Sequence, residues 1–197
     1  GRPNDNIGIT LFAGETFTQC PLTVDHAVLL DMIHNIKCGL ITDGTAVGMG
    51  IANAVTRLKD SKAKSKVIIL LTDGTNNKGD ISPMTAAEIA KSFGIRVYTI
   101  GVGTNGMAPY PYPVGNTVQY VSMPVEIDEK TLTEIAGTTD GNYFRATSNS
   151  KLKEVYEEID KLEKTKLNVK EYSKRDEEYH WFVLAAFRCV LLEVLLR

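Results

Sequence analysis

The sequence predicts an α/β fold of three layers, with a doubly wound, mostly parallel sheet between helices, and three observations carry that prediction. Lys66 to Leu71 (Lys-Val-Ile-Ile-Leu-Leu) is an apolar run without polar alternation, the pattern of a strand buried on both faces of a parallel sheet. A helical pattern from Pro83 to Phe93, stopped at Gly94, and a second strand pattern from Ile95 to Ile100 follow it, giving a strand, helix, strand unit with a right-handed crossover. The 197 residues, 43% hydrophobic and 23% charged, suit one domain of ordinary size with a short appendage and exclude a disordered or polytopic chain.

The remaining elements follow in order. Residues 7–12 read as a strand, Ala13-Gly14-Glu15 as a turn, and Thr16 to Cys20 as an antiparallel partner. Residues 25–36 form a helix with Asp25 as N-cap, ending near Cys38-Gly39. Thr42-Asp43-Gly44-Thr45 is a helix-start signature, and Val47, Ile51, Val55 and Leu58 then fall on one helical face. Gly48 and Gly50 inside that helix cost roughly 1 kcal/mol each relative to Ala, which points to close packing against a sheet. Thr104 to Pro124, rich in Pro, Gly and Tyr, reads as a surface loop with a short extended piece at Val118 to Ser122. Asp128 caps a helix through Ala136, Asn142 to Arg145 is a short edge strand, and Ser150 to Leu162 is a closing helix with Leu152, Val155, Tyr156 and Ile159 on one face.

Composition removes several function classes. Lys plus Arg number 22 against 24 for Asp plus Glu, a net charge of −2, so there is no electrostatic footprint for nucleic acid. Cys20, Cys38 and Cys189 form no C-x-x-C pair, and His26, His34 and His180 have no spacing that sets two imidazoles on one helical face, so a Cys or His metal site is not expected. Gly101-Val102-Gly103-Thr104-Asn105-Gly106 matches G-x-G-x-x-G after a strand, but the Pro-rich stretch behind it cannot be the helix that a dinucleotide needs, so these glycines read as a sharp strand exit. No phosphate-binding G-x-x-x-x-G-K-[ST] and no nucleophile elbow occur.

Ligands of doubly wound folds gather at the carboxyl ends of the strands, and two polar clusters fall on loops of that kind. Thr42-Asp43-Gly44-Thr45 enters the glycine-containing helix; Thr72-Asp73-Gly74-Thr75 leaves the apolar strand. A threonine hydroxyl and a carboxylate are hard oxygen donors of the kind Mg²⁺ accepts while keeping several waters. The same residues suit a purely local role, with Thr45 and Asp73 capping helices and closing turns.

The order of these elements, with Thr42-Asp43-Gly44-Thr45 and Val67-Ile68-Ile69-Leu70-Leu71-Thr72-Asp73-Gly74, resembles the von Willebrand factor type A (VWA) domain over about residues 4–162. Gly101-Val102-Gly103, the Tyr-Pro stretch, Ile135-Ala136-Gly137 and Gly141-Asn142-Tyr143-Phe144 look most like the BatA branch of the bacterial Bat group, which is associated with aerotolerance. The resemblance implies a Mg²⁺ or Mn²⁺ ion at a metal-ion-dependent adhesion site (MIDAS), with Thr45 as the second-loop hydroxyl ligand and Asp73 as the third-loop carboxylate. The family's first loop, D-x-S-x-S, is not in this sequence; the nearest stretch, Asp80-Ile81-Ser82-Pro83-Met84, has no second serine and follows the wrong strand. By the resemblance, the first strand and its ligands lie upstream of Gly1, and the site within this chain is incomplete.

The function so implied is a protein-interaction module, not an enzyme, in which an Asp or Glu carboxylate of a protein partner completes the metal's coordination, with other Bat-group proteins among the candidate partners. The alternatives are a Mg²⁺-dependent phosphotransfer enzyme built on Asp73, or a scaffold whose ion site has decayed. Residues 163–179 read as a charged linker, and 180–197 as the start of a transmembrane helix. Trp181 to Leu196 is short of the ~20 residues that span a bilayer and carries Arg188 and Glu193, so a terminal core-packing helix is the competing reading. The Bat-group resemblance implies an inner-membrane protein with its folded domain in the periplasm.

Overall fold

The computed structural model describes residues 5–37, 39–103, 106–114, 117–125 and 127–172. The chain divides into two units, Gly1–Ile159 and Asp160–Arg197. The first opens with β1 (Ile7–Phe12) and β2 (Thr16–Thr23), an antiparallel hairpin in which Phe12 pairs with Thr16 and Leu11 with Phe17. The hairpin is as expected, with β2 three residues longer. Cys20 is buried there as a free thiol. Asp25 then caps α1 (His26–His34), its Oδ1 accepting from the amides of Ala27 at 3.0 Å and Val28 at 3.1 Å.

Helix α2 (Val47–Leu58) buries Val47, Ile51 and Val55, the stripe that the i, i+4, i+8 spacing predicts. Its two glycines have separate neighbours. A methyl group on Gly48 would overlap the Ile81 carbonyl, in the segment leading to the next helix, and one on Gly50 would lie 2.9 Å from Cγ of Phe12. The expected start signature does not cap this helix: the N-cap is Ala46, with no side-chain bond of its own.

Strands β3 (Lys66–Thr72) and β4 (Ile95–Val102) pair in parallel from Lys66↔Ile95 to Thr72↔Gly101, joined through α3 (Pro83–Ser92). Ser82 caps α3 by accepting from the Thr85 amide at 3.1 Å, with Pro83 in the first turn, where its missing N–H costs nothing. Beyond β4, a second hairpin consists of β5 (Gly106–Val114) and β6 (Thr117–Val125). Helix α4 (Glu129–Thr138), capped by Asp128, leads to β7 (Tyr143–Ala146), which pairs in parallel with the end of β4 from Thr99↔Tyr143 to Val102↔Ala146. The sheet order is β3-β4-β7. The core joins Val47, Ile51 and Val55 of α2 to Ile68 and Leu70 of β3, Ala86, Ala87 and Ala90 of α3, Ile95 and Val97 of β4, and Leu132 and Ile135 of α4.

Tyr98 and Ile100 alternate with Val97 and Thr99 along β4 and all four are fully buried, so that strand is covered on both faces, as a doubly wound sheet requires. In β3 only one face is covered. Ile68, Leu70 and Thr72 are buried, whereas Ile69 and Leu71 remain 38% and 41% exposed. An uninterrupted apolar run implies two covered faces; here β3 has β4 as its single hydrogen-bonded neighbour among the described residues.

The stretch expected as a surface loop is the β5–β6 hairpin. Its register explains how so many prolines enter a ladder: the four pairs that contain proline, Met107↔Pro124, Pro109↔Ser122, Pro111↔Tyr120 and Pro113↔Val118, all have the same parity. The ladder is therefore carried by the intervening pairs, where every N–H is present. The last helix, α5 (Asn149–Tyr172), buries Val155 and Ile159 as expected but leaves Tyr156 43% exposed. It continues ten residues past Leu162, through a stretch more than half Lys, Glu and Leu and without Gly or Pro. Residues 173–197, with the proposed membrane segment, and Cys38, Cys189 and His180 lie outside the described residues; no described helix is long and apolar enough to cross a membrane.

Candidate metal site

Three loops meet at the amino end of α2. The β1–β2 turn supplies two backbone bonds: the Ala46 amide donates to Ala13 O at 2.6 Å, and the Gly14 amide to Thr42 O at 2.7 Å. The loop from β3 to α3 supplies the rest. Asn77 engages Thr45 twice, its amide donating to Thr45 O at 3.0 Å and its side-chain Oδ1 accepting from the Thr45 amide at 2.8 Å. The Lys78 amide also donates to Thr45 O, at 3.3 Å, and Asn76 Oδ1 accepts from the Val47 amide at 2.8 Å. Asn76 thus satisfies a first-turn N–H of α2 that Ala46 cannot reach, doing from a distant loop what a local cap usually does.

This clasp brings the two candidate ligands to adjoining loops. A Cβ built on Gly74, the residue after Asp73, would lie 3.2 Å from Thr45 Oγ1, so the threonine hydroxyl sits against the turn that carries the carboxylate. Only glycine leaves that hydroxyl its full room. Thr72, buried at the end of β3, accepts from the Gly74 amide at 3.3 Å and holds the turn at the strand's carboxyl end. Thr45 is half-buried and Asp73 is exposed. Among the described residues neither the Thr45 hydroxyl nor the Asp73 carboxylate has a hydrogen-bond partner, so neither fills the capping role that their positions also allowed.

The donor set is one hydroxyl and one carboxylate, hard oxygens that fit Mg²⁺ or Mn²⁺ and leave most of an octahedron to water or to another molecule. No group of three or more His, Cys, Asp and Glu that could hold a metal occurs among the described residues. Asn76 and Asn77 are the site residues that sequence reasoning missed. Asking which groups satisfy the first-turn amides of a helix that begins Ala-Val-Gly would have pointed to them. At the end of β4, Gly103 adopts φ 107° with its amide bonded to Ala146 O at 3.0 Å, a conformation suited to the strand exit expected there.

Comparison with known proteins agrees with this architecture. The chain is similar to BatB from Bacteroides thetaiotaomicron, described as a conserved hypothetical protein (34% identity, TM-score 0.69, covering 82% of this chain and 80% of that one). It is also similar to an aerotolerance-related membrane protein from Bacteroides fragilis (31% identity, TM-score 0.67, 80% of each chain). A more distant likeness is to proximal thread matrix protein 1 of the mussel byssus, solved with a zinc-occupied MIDAS motif (26% identity, TM-score 0.59, 81% of this chain and 36% of that one). The chain spans about half the length of the curated relatives it matches. A family model described as the von Willebrand factor type A domain matches residues 1–158, and with the fold and these neighbours in agreement, the chain belongs to the VWA domain family.

Proposed function

We propose that this domain is a metal-dependent protein-interaction module in which Thr45 Oγ1 and the Asp73 carboxylate hold a Mg²⁺ or Mn²⁺ ion and an Asp or Glu side chain of a partner protein completes its coordination. The carrying observation is that the fold brings the hydroxyl and the carboxylate to adjoining loops through backbone and asparagine contacts while engaging neither group itself. The ion supplies an electrophilic position for a carboxylate. The chain supplies orientation, through the clasp on Thr45 and the Thr72-held turn on Asp73. Binding without covalent chemistry is all this arrangement asks for, and we infer a non-enzymatic role.

The zinc-occupied site described for the byssus protein supports a divalent ion in a domain of this fold. Likeness to BatB and to an aerotolerance-related membrane protein supports placing the chain in the Bat group, at a membrane. We further infer domain bounds at 1–162, a linker over 163–179, membrane attachment through 180–197, and a periplasmic domain at the inner membrane; the partner would then be a protein of that surface, other Bat-group proteins among them.

Titration calorimetry with Mg²⁺ and Mn²⁺ on the parent, Asp73→Ala, Thr45→Ala and Asp43→Ala tests the site. With one hydroxyl and one carboxylate, the parent should bind weakly; Asp73→Ala should abolish binding, Thr45→Ala should weaken it, and Asp43→Ala should leave it unchanged. An Asp73→Ala variant that binds as well as its parent would refute the assignment.

A further inference from the structure

We infer that Asn77, seconded by Asn76, is a positioning residue for metal binding: it orders the Thr45 backbone in advance so that the threonine hydroxyl is held at the site before an ion arrives. The inference rests on reading Thr45 and Asp73 as ligands. It goes further by giving a role to residues that would not touch the ion.

The geometry behind it is a double attachment. Asn77 accepts from the Thr45 amide at 2.8 Å through its side chain and donates to the Thr45 carbonyl at 3.0 Å through its main chain, so one residue grips both polar backbone groups of another 32 positions away. Asn76 grips the next available amide, that of Val47, at 2.8 Å. Asp73 leads into the same loop as these two asparagines, four residues before Asn77. Distance between the two candidate ligands is therefore set by a contact that involves neither ligand side chain. Mg²⁺ demands near-ideal octahedral geometry, and for either ion a ligand on an unpinned loop must lose its backbone freedom when the ion binds. The clasp removes that cost beforehand. Its acceptors are amide oxygens, which offer no competing charge to the ion.

The test uses the 197-residue protein, its Asn77→Ala, Asn77→Asp and Asn76→Ala variants, and Mn²⁺ as the probe. Two quantities are read: the Mn²⁺ dissociation constant, from the electron paramagnetic resonance of free Mn²⁺, and the hydrogen-exchange rates of the Thr45 and Val47 amides without metal. Asn77→Ala should speed Thr45 exchange about tenfold and weaken Mn²⁺ binding about fivefold or more. Asn77→Asp, which keeps the acceptor, should restore Thr45 protection and keep parental or tighter binding. Asn76→Ala should speed Val47 exchange with a smaller loss of affinity. Should Asn77→Ala fail to fold, Asn77→Ser, whose shorter side chain falls short of the amide, gives the same comparison. Parental affinity in Asn77→Ala, or Asn77→Asp binding as poorly as Asn77→Ala, overturns the positioning role and leaves the ligand assignment standing. A parent that takes up no Mn²⁺ overturns the ligand assignment and the positioning role together, whatever the exchange rates show.

Discussion

Two helical glycines should respond in opposite directions to the same substitution. In an isolated helix, replacing Gly by Ala gains about 1 kcal/mol. At Gly137, near the end of α4, a built Cβ meets nothing within 4 Å, so Gly137→Ala should realise most of that gain, about 0.5–1 kcal/mol. At Gly48 the new methyl would overlap the Ile81 carbonyl and sit 2.8 Å from the Ser82 carbonyl carbon. Those are backbone atoms, and Ser82 is already committed to capping α3, so the neighbour cannot rotate away. Relief requires α2 and the start of α3 to separate. Overpacking of this kind costs about 1–3 kcal/mol, and against an immobile backbone the upper figure applies, leaving a net loss of about 2 kcal/mol after the propensity gain. For a domain of this size that is a fall in Tm of about 4–8 °C, against a rise of about 1–4 °C for Gly137→Ala. Urea denaturation and thermal melting of the two variants give both signs. Gly48→Ala melting at or above its parent would refute the close approach of α2 to α3 on which the site's loops depend.

Further outcomes follow from the polar contacts. β7 begins too late to pair with Val97, so the Val97 amide donates instead to Thr139 Oγ1 at 3.0 Å, and that hydroxyl donates in turn to Ile135 O at 3.0 Å. Thr139→Val should strand a buried N–H and cost about 1–3 kcal/mol in the denaturation midpoint, Thr139→Ser markedly less; equal stability of the Val variant would show that the amide has another partner. Asp128→Ala should cost about 1 kcal/mol through loss of the α4 cap. Hydrogen bonds from Thr131 hold the Asp128 carboxyl below its ordinary value, so its contribution is present above the usual carboxylate range and fades as pH falls through the folded value. The gap in stability between the parent and Asp128→Ala should therefore narrow below about pH 4, and a gap that widens there would contradict the sign.

Why some of this was legible and some not has a physical pattern. The caps at Asp25 and Asp128 and the stripe Val47, Ile51, Val55 are local signals read along the chain, and the structure realises them. Ile69 and Leu71 misled because an apolar run reports what a strand can bury, whereas their exposure depends on which elements lie over it. The β5–β6 hairpin was hidden by its prolines, since a propensity count penalises each one without regard to parity; the two intervening residues, Gly115-Asn116, are of the type favoured in two-residue hairpin turns and were the overlooked signal. From the chain alone Asp73 could be assigned to the end of a strand and Thr45 to the start of a helix; that Thr45 also follows a strand was an error, since its loop runs from α1 to α2. Their proximity could not, because it depends on Asn76 and Asn77 bonding to amides 29 and 32 residues away.

The spacing of prolines in β5 also determines how that hairpin meets other molecules. In a two-stranded sheet the N–H groups not used between the strands point away from the partner strand, and on β5 those belong to Met107, Pro109, Pro111 and Pro113. Three of the four have no hydrogen to offer, so a foreign strand laid along β5 would find acceptors and almost no donors. The opposite rim, on β6, keeps the amides of Val118, Tyr120 and Ser122, with Tyr120 72% exposed among them. The hairpin is thus closed to strand addition on one side and open on the other, so chains that did associate through it would join β6 to β6 and stop at a pair, since each then presents only its blunted rim.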